Sequence, residues 1–179
     1  MAFKKIVIAI ATLALFTACA WAQMAPKPGA ELKKLDYFVG TWTTDATIAE
    51  GPWGAGGKFT STGTSEWMTG NFFVVDHADF KLPPEVGGEG KETLILGYNA
   101  DQNVYTRDGF NSQGRRENWT GTLVGDTWTW TGSQVYAGQD VKQRLTVKAL
   151  SPTSYSLKFD VSLDGTNWMP FMEGKSTKK

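Results

Sequence analysis

Few side chains in this sequence could carry out chemistry on their own. The 179 residues include one histidine, His77, and one cysteine, Cys19, which is too few for a zinc site of four nitrogen or sulfur ligands. A serine or cysteine nucleophile needs a base beside it, and the sequence shows no Gly-x-Ser-x-Gly elbow with a histidine partner. His77 could ligate haem or a metal, or it could lie on the surface and pair with Asp79. We therefore lean towards a protein that is not an enzyme and expect no cofactor, with haem as the alternative.

The charge and length of the chain exclude further classes of function. Lys+Arg and Asp+Glu each number 18, so the formal net charge is zero. Without an excess of basic residues the protein cannot neutralise many phosphates, and nucleic-acid binding as a main task is disfavoured. The length fits a single domain, which we expect to be monomeric.

The N-terminal residues have the order of a secretory signal. Lys4 and Lys5 precede an uncharged apolar run over 6–16, and small residues follow up to Ala20-Trp21-Ala22. That run is about half of the ~20 residues that a helix needs to span a bilayer. We expect a signal peptide at 1–22, a linker at 23–31, a barrel domain at 32–175 and a basic C-terminal tail at 176–179. The protein would be exported to the periplasm or the exterior of a bacterium.

A second cleavage site would change the relation of the protein to the membrane. Residues 15–19 loosely resemble a bacterial lipobox, in which Cys19 becomes the lipidated first residue. Membrane attachment is expected only in that case. Cleavage after Ala22 instead removes the single cysteine, so that the mature chain depends on its hydrophobic core and not on disulfides.

The hydrophobic pattern predicts one short helix followed by strands. Leu32, Leu35 and Phe38 are spaced by three residues and predict a helix near 30–38. Beyond it, apolar and polar residues alternate with period two, and turn residues recur every eight to twelve positions. The pattern predicts an all-β fold, a single antiparallel up-and-down β-barrel of about ten strands. We expect these strands at 41–48, 59–68, 72–79, 92–99, 104–111, 115–123, 127–136, 140–149, 154–163 and 168–175.

Glycines and two longer connections add detail to this barrel. Gly63, Gly97 and Gly121 lie inside expected strands, where a barrel must bend. The connections 49–57 and 80–90 contain glycine and proline. They could flank the mouth of the barrel as lids, or they could be ordinary surface loops.

Several short motifs resemble those of known barrels. Gly40-Thr41-Trp42, which opens the first expected strand, resembles the Gly-x-Trp motif of the calycin superfamily, comprising lipocalins, fatty-acid-binding proteins and nitrobindin-like barrels. Further elements are similar to those of a bacterial family of secreted, lipocalin-like proteins of unknown function: 66–73, 97–99, Tyr105, Ser112, Gly114 and Gly121. The resemblance implies a small-molecule-binding barrel whose closed end holds Gly40 and is capped by Trp42. It supplies no established activity.

The same resemblance bears on His77. Nitrobindin-like haem barrels take their axial histidine from a strand near the end of the chain, and residues 168–175 contain none. His77 is therefore only a weak candidate for a haem or metal ligand.

Aromatic residues provide the main candidates for ligand contacts. Trp128 and Trp130 share one face of an expected strand, and aromatic rings cover an apolar lumen well. These rings could line a ligand cavity, form an ordinary core, or, if Trp128 and Trp130 point outward, provide a flat surface for stacking sugars. The other candidates lie on neighbouring strands: Trp67, Tyr105, Trp119, Tyr155 and Phe159.

Polar residues on apolar faces are the expected anchors. A ligand that buries ~250 Å² of apolar surface gains about 6 kcal/mol, and association costs at least ~4 kcal/mol, so tight binding requires polar contacts. Gln143 lies between Val141 and Leu145 on such a face. Arg107 shares a face with Tyr105, and the pair could hold a carboxylate, by analogy with fatty-acid-binding proteins. Alternatively, Arg107 faces solvent and pairs with Glu117 across a hairpin.

These observations favour a barrel that carries or senses an apolar or amphipathic molecule in its lumen. Two alternatives remain open at this point. The protein could be a non-catalytic envelope module that binds partners or acts as a scaffold through its surface, or it could be a nitrobindin-like haem protein or an isomerase.

Overall fold

Ten antiparallel strands form a closed barrel. The computed structural model describes residues 27–51, 54–136 and 138–179, so the predicted signal peptide and most of the predicted linker lie outside the described residues. Neighbouring strands follow the chain order, and β1 closes the barrel against β10. The all-β, up-and-down architecture predicted from the alternation is confirmed. The strands are β1 (Gly40–Ile48), β2 (Gly57–Trp67), β3 (Val74–Lys81), β4 (Glu89–Asn99), β5 (Val104–Asn111), β6 (Arg116–Val124), β7 (Thr127–Tyr136), β8 (Gln139–Ser151), β9 (Ser154–Ser162) and β10 (Met169–Lys178).

The seam between β1 and β10 extends the last strand beyond the predicted domain end. Residues from Trp42 to Ile48 pair with residues from Lys178 back to Met172. Ser176 is fully buried, and its Oγ lies 2.6 Å from Oγ1 of Thr44. The prediction of a basic tail at 176–179 is therefore corrected: residues 176–178 belong to β10, because closure requires a partner for each position of β1.

The predicted N-terminal helix is a short 3-10 helix, Leu32–Tyr37. Side chains three residues apart lie on one side of a 3-10 helix, so the spacing of Leu32 and Leu35 places both on the barrel side, where both are buried. A second 3-10 turn, Pro84–Val86, lies between β3 and β4. In the described parts of the chain, no helix is long and apolar enough to cross a membrane.

Inside the barrel, large rings are accommodated by glycines on the neighbouring strand. Gly121 on β6 pairs with Trp130 on β7, and a Cβ at Gly121 would lie 2.8 Å from Cδ2 of Trp130. Trp119 is packed in the same way against Gly132, where a Cβ would lie 2.8 Å from its Cδ1. The ring of Trp130 also stacks on that of Trp128, with centroids 5.8 Å apart and planes 5° from parallel. The glycines therefore let these rings lie flat against the wall of the barrel.

We expect Gly121→Ala to destabilise the barrel by about 1 to 3 kcal/mol, the usual cost of overpacking a core. Trp130 is only 2% exposed and is held by Trp128, so its ring cannot move away from the added methyl group. Urea unfolding followed by tryptophan fluorescence measures the change. Gly29→Ala is the control, because a Cβ there meets nothing within 4 Å. Equal stability of the two variants would contradict this account of the packing.

Candidate functional site

One end of the barrel is plugged by the 3-10 helix. The Nε1 of Trp67 donates to Oδ1 of Asp36 at 2.7 Å, and the Tyr105 hydroxyl donates to Oε2 of Glu31 at 2.8 Å. The Nε1 of Trp42 donates to the carbonyl oxygen of Phe38 at 2.7 Å. Three indole or phenol groups from three strands thus fix the helix and the segment after it across this opening.

Gly40 and Trp42 lie at the start of β1, beside the plug. Gly40 has a φ of 124°, a conformation that favours glycine and lets the chain pass from the plug into β1. Trp42 is 6% exposed, and its ring lies 4.8 Å from that of Tyr155. Both residues therefore belong to the closed end.

Three of the predicted ligand contacts are occupied by this plug. Trp67 and Tyr105 bond to it directly, and the ring of Trp128 packs against Phe38 at 5.2 Å and against Tyr105 at 4.6 Å. Burial, reinforced by the neighbouring Glu31, raises the pKa of Tyr105 far above its ordinary value, so the phenol stays protonated and acts as a donor. These residues form the floor of the barrel and lie outside its hollow part.

The hollow part begins above this floor, beside β2 and β3. A cavity of about 190 Å³ is bounded there by small side chains, including Ser61, Gly63, Ser65 and Ala78. Ser61, Ser65 and Ala78 leave space that longer side chains would fill, whereas Gly63 makes room for Asp76, whose Oδ1 would lie 3.0 Å from a Cβ there. The predicted contacts Trp130, Tyr155 and Arg107 line the same cavity. Its other walls include Phe38, Trp42, Thr44, Phe59, Asp76, Glu92, Leu94, Leu96, Leu145, Val147, Leu157 and Met172.

Two further cavities continue the hollow away from the plug. A cavity of about 200 Å³ shares Phe59, Glu92 and Arg107 with the first one. A third, of about 140 Å³, shares Glu117 and Phe159 with the second. The predicted contacts Trp119 and Phe159 line the second cavity, and Phe159 and Gln143 line the third. The lumen is therefore a chain of spaces leading from the plug towards the opposite end.

The β3–β4 connection, for which the sequence left open a lid or an ordinary surface loop, lies at that opposite end. A Cβ at Gly57 would overlap the ring of Pro83, so the absence of a side chain lets the β3–β4 connection pack against the start of β2. The Nε2 of Gln113 donates to the carbonyl oxygen of Gly87 at 2.6 Å and ties the same connection to the β5–β6 turn. Val86, within this connection, lines the third cavity. The connection thus covers part of the opening.

Arg107 lies inside the lumen, in a salt bridge. Its Nη1 donates to Oε2 of Glu117 at 2.6 Å, and the two side chains are 12% and 25% exposed. The guanidinium also lies 5.0 Å from the centre of the Trp119 ring. Burial lowers the pKa of Arg107, but the carboxylates of Glu117 and Glu92 outweigh burial and raise it above the ordinary value.

This geometry corrects two expectations for Arg107. The pairing with Glu117 is the one considered from the sequence, but it is inside the barrel and not in solvent. The proposed carboxylate clamp of Arg107 with Tyr105 is not assembled, because Tyr105 bonds to Glu31 and Arg107 bonds to Glu117.

Two lumenal carboxylates, Asp76 and Glu92, were missed by the sequence analysis. Both line the first cavity, and Asp76 accepts a hydrogen bond from the Ser65 hydroxyl at 2.6 Å. Burial raises the pKa of Glu92; Arg107 opposes this effect, while Glu117 and Asp76 reinforce it. The signal was present in the sequence, since Glu92 alternates with Leu94 and Leu96 on one face of β4.

Gln143 and His77 occupy opposite sides of the barrel wall. The Oε1 of Gln143 is buried and has no hydrogen-bond partner among the described residues. His77 is exposed on the outer face, where its Nδ1 lies 3.0 Å from Oγ1 of Thr93. Within the described ranges, no three His, Cys, Asp or Glu side chains are grouped so that they could hold a metal ion.

The idea of an outward sugar-stacking face is wrong. Trp128 and Trp130 are 3% and 2% exposed and point into the barrel, because their register with β6 and β8 places them on its inner face.

Together these features define a closed ten-stranded antiparallel β-barrel, plugged at one end and partly hollow towards the other. The chain belongs to the family described as "Protein of unknown function (DUF1579)", whose model matches residues 27–178. No curated protein matches the chain in a sequence search.

Two solved structures resemble the fold. One is the crystal structure of Rv2717c from M. tuberculosis, with a TM-score of 0.57 and 11% identity, covering 84% of this chain and 98% of that chain. The other is the S-type phycobiliprotein lyase CPES from Guillardia theta, with a TM-score of 0.51 and 10% identity, covering 82% of this chain and 91% of that chain. At these identities the likeness is one of fold.

We expect Glu92→Gln to raise the free energy of unfolding of the ligand-free protein at pH 7. A carboxyl group whose pKa is raised in the folded state binds protons more readily there than in the unfolded chain, so its ionisation costs stability as the pH rises through the folded-state pKa. The neutral amide avoids that cost. The advantage should shrink towards pH 4, where the wild-type carboxyl group becomes protonated in both states.

Urea unfolding at pH 7 and at pH 4 measures this difference. Glu66→Gln is the matched control, since Glu66 is exposed on the outer face of β2, and it should unfold like the wild type. A Glu92→Gln variant that is less stable than the wild type at pH 7 would show that ionised Glu92 does not strain the folded barrel.

Proposed function

We propose that this protein binds a single small amphipathic molecule in its lumen and serves as a carrier or sensor for it. The observation that carries the proposal is the hollow beside β2 and β3, where Ser61, Gly63, Ser65 and Ala78 face a space of about 190 Å³. Strands of a barrel normally fill such a space with their own side chains unless it is used. The aromatic and aliphatic walls opposite these residues suit an apolar group.

The dimensions of the hollow limit the ligand. An engineered protein cavity of ~150 Å³ holds a benzene molecule, so the first cavity has room for an aromatic ring or a short alkyl segment. The second and third cavities, about 200 and 140 Å³, extend the path towards the mouth. A ligand with one apolar end near Trp130 and a polar part near Arg107 and Glu92 fits this sequence of environments.

The proposal includes export and a place among the calycin barrels. Export is supported by Lys4, Lys5, the apolar run over 6–16 and the small residues up to Ala22. The calycin assignment is supported by Gly40-Thr41-Trp42 at the start of β1, where Trp42 packs at the closed end. Mass spectrometry of the protein purified from its natural host tests export: a chain starting at Gln23 supports it, a lipidated Cys19 indicates membrane anchoring, and an intact Met1 contradicts it.

We propose further that binding requires no resident cofactor and that the protein acts as a monomer. The sole imidazole of the sequence, that of His77, is exposed on the outer face of β3. The groups that face the lumen are instead aromatic rings, hydroxyls, carboxylates and the guanidinium groups of Arg107 and Arg115.

A lumen-filling variant tests the proposal. We expect Ala78→Leu to weaken binding of the neutral dye Nile red by about tenfold or more, because the longer side chain enters the first cavity and a loss of ~1.4 kcal/mol is tenfold in affinity. His77→Leu is the matched control, since the neighbouring residue faces outward and should leave dye binding unchanged. Fluorescence titration of both variants and the wild type gives the comparison.

Native mass spectrometry of freshly purified protein, followed by solvent extraction, completes the test. A bound small molecule that is lost in Ala78→Leu supports lumenal binding. A wild type that is empty and does not bind the dye, or equal dye binding in the two variants, would argue against it and favour a protein that acts through its surface.

A further inference from the structure

We propose that the lumen selects ligands carrying a protonated amino or amidino group and disfavours carboxylates. This inference rests on the lumenal binding proposed above and names the chemical class of the polar end. It reverses the carboxylate clamp that the sequence suggested for Arg107.

The lumen carries more negative than positive charge. The guanidinium of Arg107 faces three carboxylates, those of Asp76, Glu92 and Glu117. Arg115, which lines the second and third cavities, is the other guanidinium there, so three carboxylates stand against two guanidinium groups. Arg107 is bonded to Glu117 at 2.6 Å, and that pair is largely shielded from solvent. At Arg107, a carboxylate ligand would have to displace Glu117 while approaching Asp76 and Glu92. An ammonium group meets the excess negative charge without disrupting the pair.

Glu92 is open to a hydrogen-bond donor from a ligand. Among the described residues, no side chain or backbone group donates a hydrogen bond to its carboxylate, and Glu92 lines both the first and the second cavity. Its oxygens are not among the sealed, unpartnered atoms of the described residues, so they face the space of the cavities. Asp76 receives one donor, the Ser65 hydroxyl, and a carboxylate can accept more. An N–H donor of a ligand would form a charge-assisted hydrogen bond with either carboxylate.

Gln143, which lines the third cavity, carries a second free acceptor. Its Oε1 is buried and has no donor in the described parts of the chain. Glu92 and Gln143 are independent residues on different strands, and the free group on each is an acceptor. A ligand with N–H groups can donate to such acceptors.

The walls of the first cavity also suit a cation. The rings of Trp42, Phe59, Trp130 and Tyr155 line it, and the face of an aromatic ring attracts a cation within about 6 Å. One of these rings already has such a contact, since Nζ of Lys178 lies 4.9 Å from the centre of the Trp42 ring, and Phe59, Trp130 and Tyr155 are the rings left for a ligand. Rings and carboxylates together form the kind of surface that binds alkylammonium groups.

A matched series of probes tests the inference: decylamine, decanol and decanoate, which share one chain and differ in their head groups. Displacement of Nile red from the full-length protein at pH 7 and low salt gives their affinities. We expect decylamine to bind about tenfold or more tightly than decanol, equivalent to ~1.4 kcal/mol, and decanoate to bind more weakly than decanol. Decanoate binding more tightly than decylamine would overturn the inference and leave lumenal binding intact.

Variants connect the preference to the carboxylates. We expect Glu92→Gln to bring the affinity for decylamine close to that for decanol. Asp76→Asn provides a second test if Glu92→Gln does not fold, and Glu66→Gln on the outer face is the control that should retain the full preference. If both lumenal variants keep the wild-type preference, the amine is not recognised by these carboxylates and the inference fails. If none of the three probes displaces the dye from any protein, the lumenal function itself fails.

The pH dependence of the affinity provides a readout that a packing defect would not reproduce. The ionisable groups that line the cavities with Glu92 are Asp76, Arg107, Arg115, Glu117 and Tyr155. Because burial raises the pKa of Glu92, its carboxyl group ionises above the usual range. The affinity for decylamine should rise with pH through that transition, while the affinity for decanol stays constant. The rise should disappear in Glu92→Gln, and its persistence there would contradict the assignment to Glu92.

Discussion

The uneven filling of the barrel is the constraint on which the site depends. A barrel of ten strands is wider than one of eight, whose interior side chains just fill. On one side the rings of Trp119 and Trp130 occupy the interior, each lying over a glycine of the neighbouring strand. On the other side Ser61 and Ala78 contribute little volume, and the hollow lies beside them. The glycines under the rings allow the interior to be filled, whereas the small side chains on β2 and β3 leave it open.

The charged groups inside the lumen follow from this hollow. An isolated guanidinium in a packed core would be very costly, and the salt bridge with Glu117 offsets that cost for Arg107. The same space holds Glu92, whose carboxylate has an attractive charge nearby but no hydrogen-bond donor among the described residues. The interior therefore combines one ion pair with one acid that is open to a donor from the cavity. A group of this kind weakens the empty barrel and creates a polar site within apolar walls.

The strands were predictable from the sequence, whereas the contacts that each inward side chain makes were not. Period two determines which residues share a face, so Gln143 was correctly grouped with Val141 and Leu145, but it left open whether the face of Trp128 and Trp130 looks inward. Alternation does not reveal which other segments a side chain contacts inside the barrel, above or below its own position. The indole of Trp67 bonds to the 3-10 helix, a contact that depends on how the N-terminal segment folds back. Glu92 was detectable by the criterion that selected Gln143, but the depth of its burial depends on neighbours from other strands.

The proposed ligand would offset the loss of stability that ionised Glu92 causes in the empty barrel. Anything that binds the folded state alone stabilises it, and the gain grows with the logarithm of ligand concentration over the dissociation constant. A cationic group beside Glu92 adds to this gain, because it removes the penalty that the empty lumen incurs when the carboxyl group ionises. A ligand that left Glu92 unpaired would bring only apolar burial, which barely exceeds the cost of association for a small molecule. The acid that strains the empty barrel is therefore the group through which the lumen can distinguish a cationic amphipath from other molecules of the same shape.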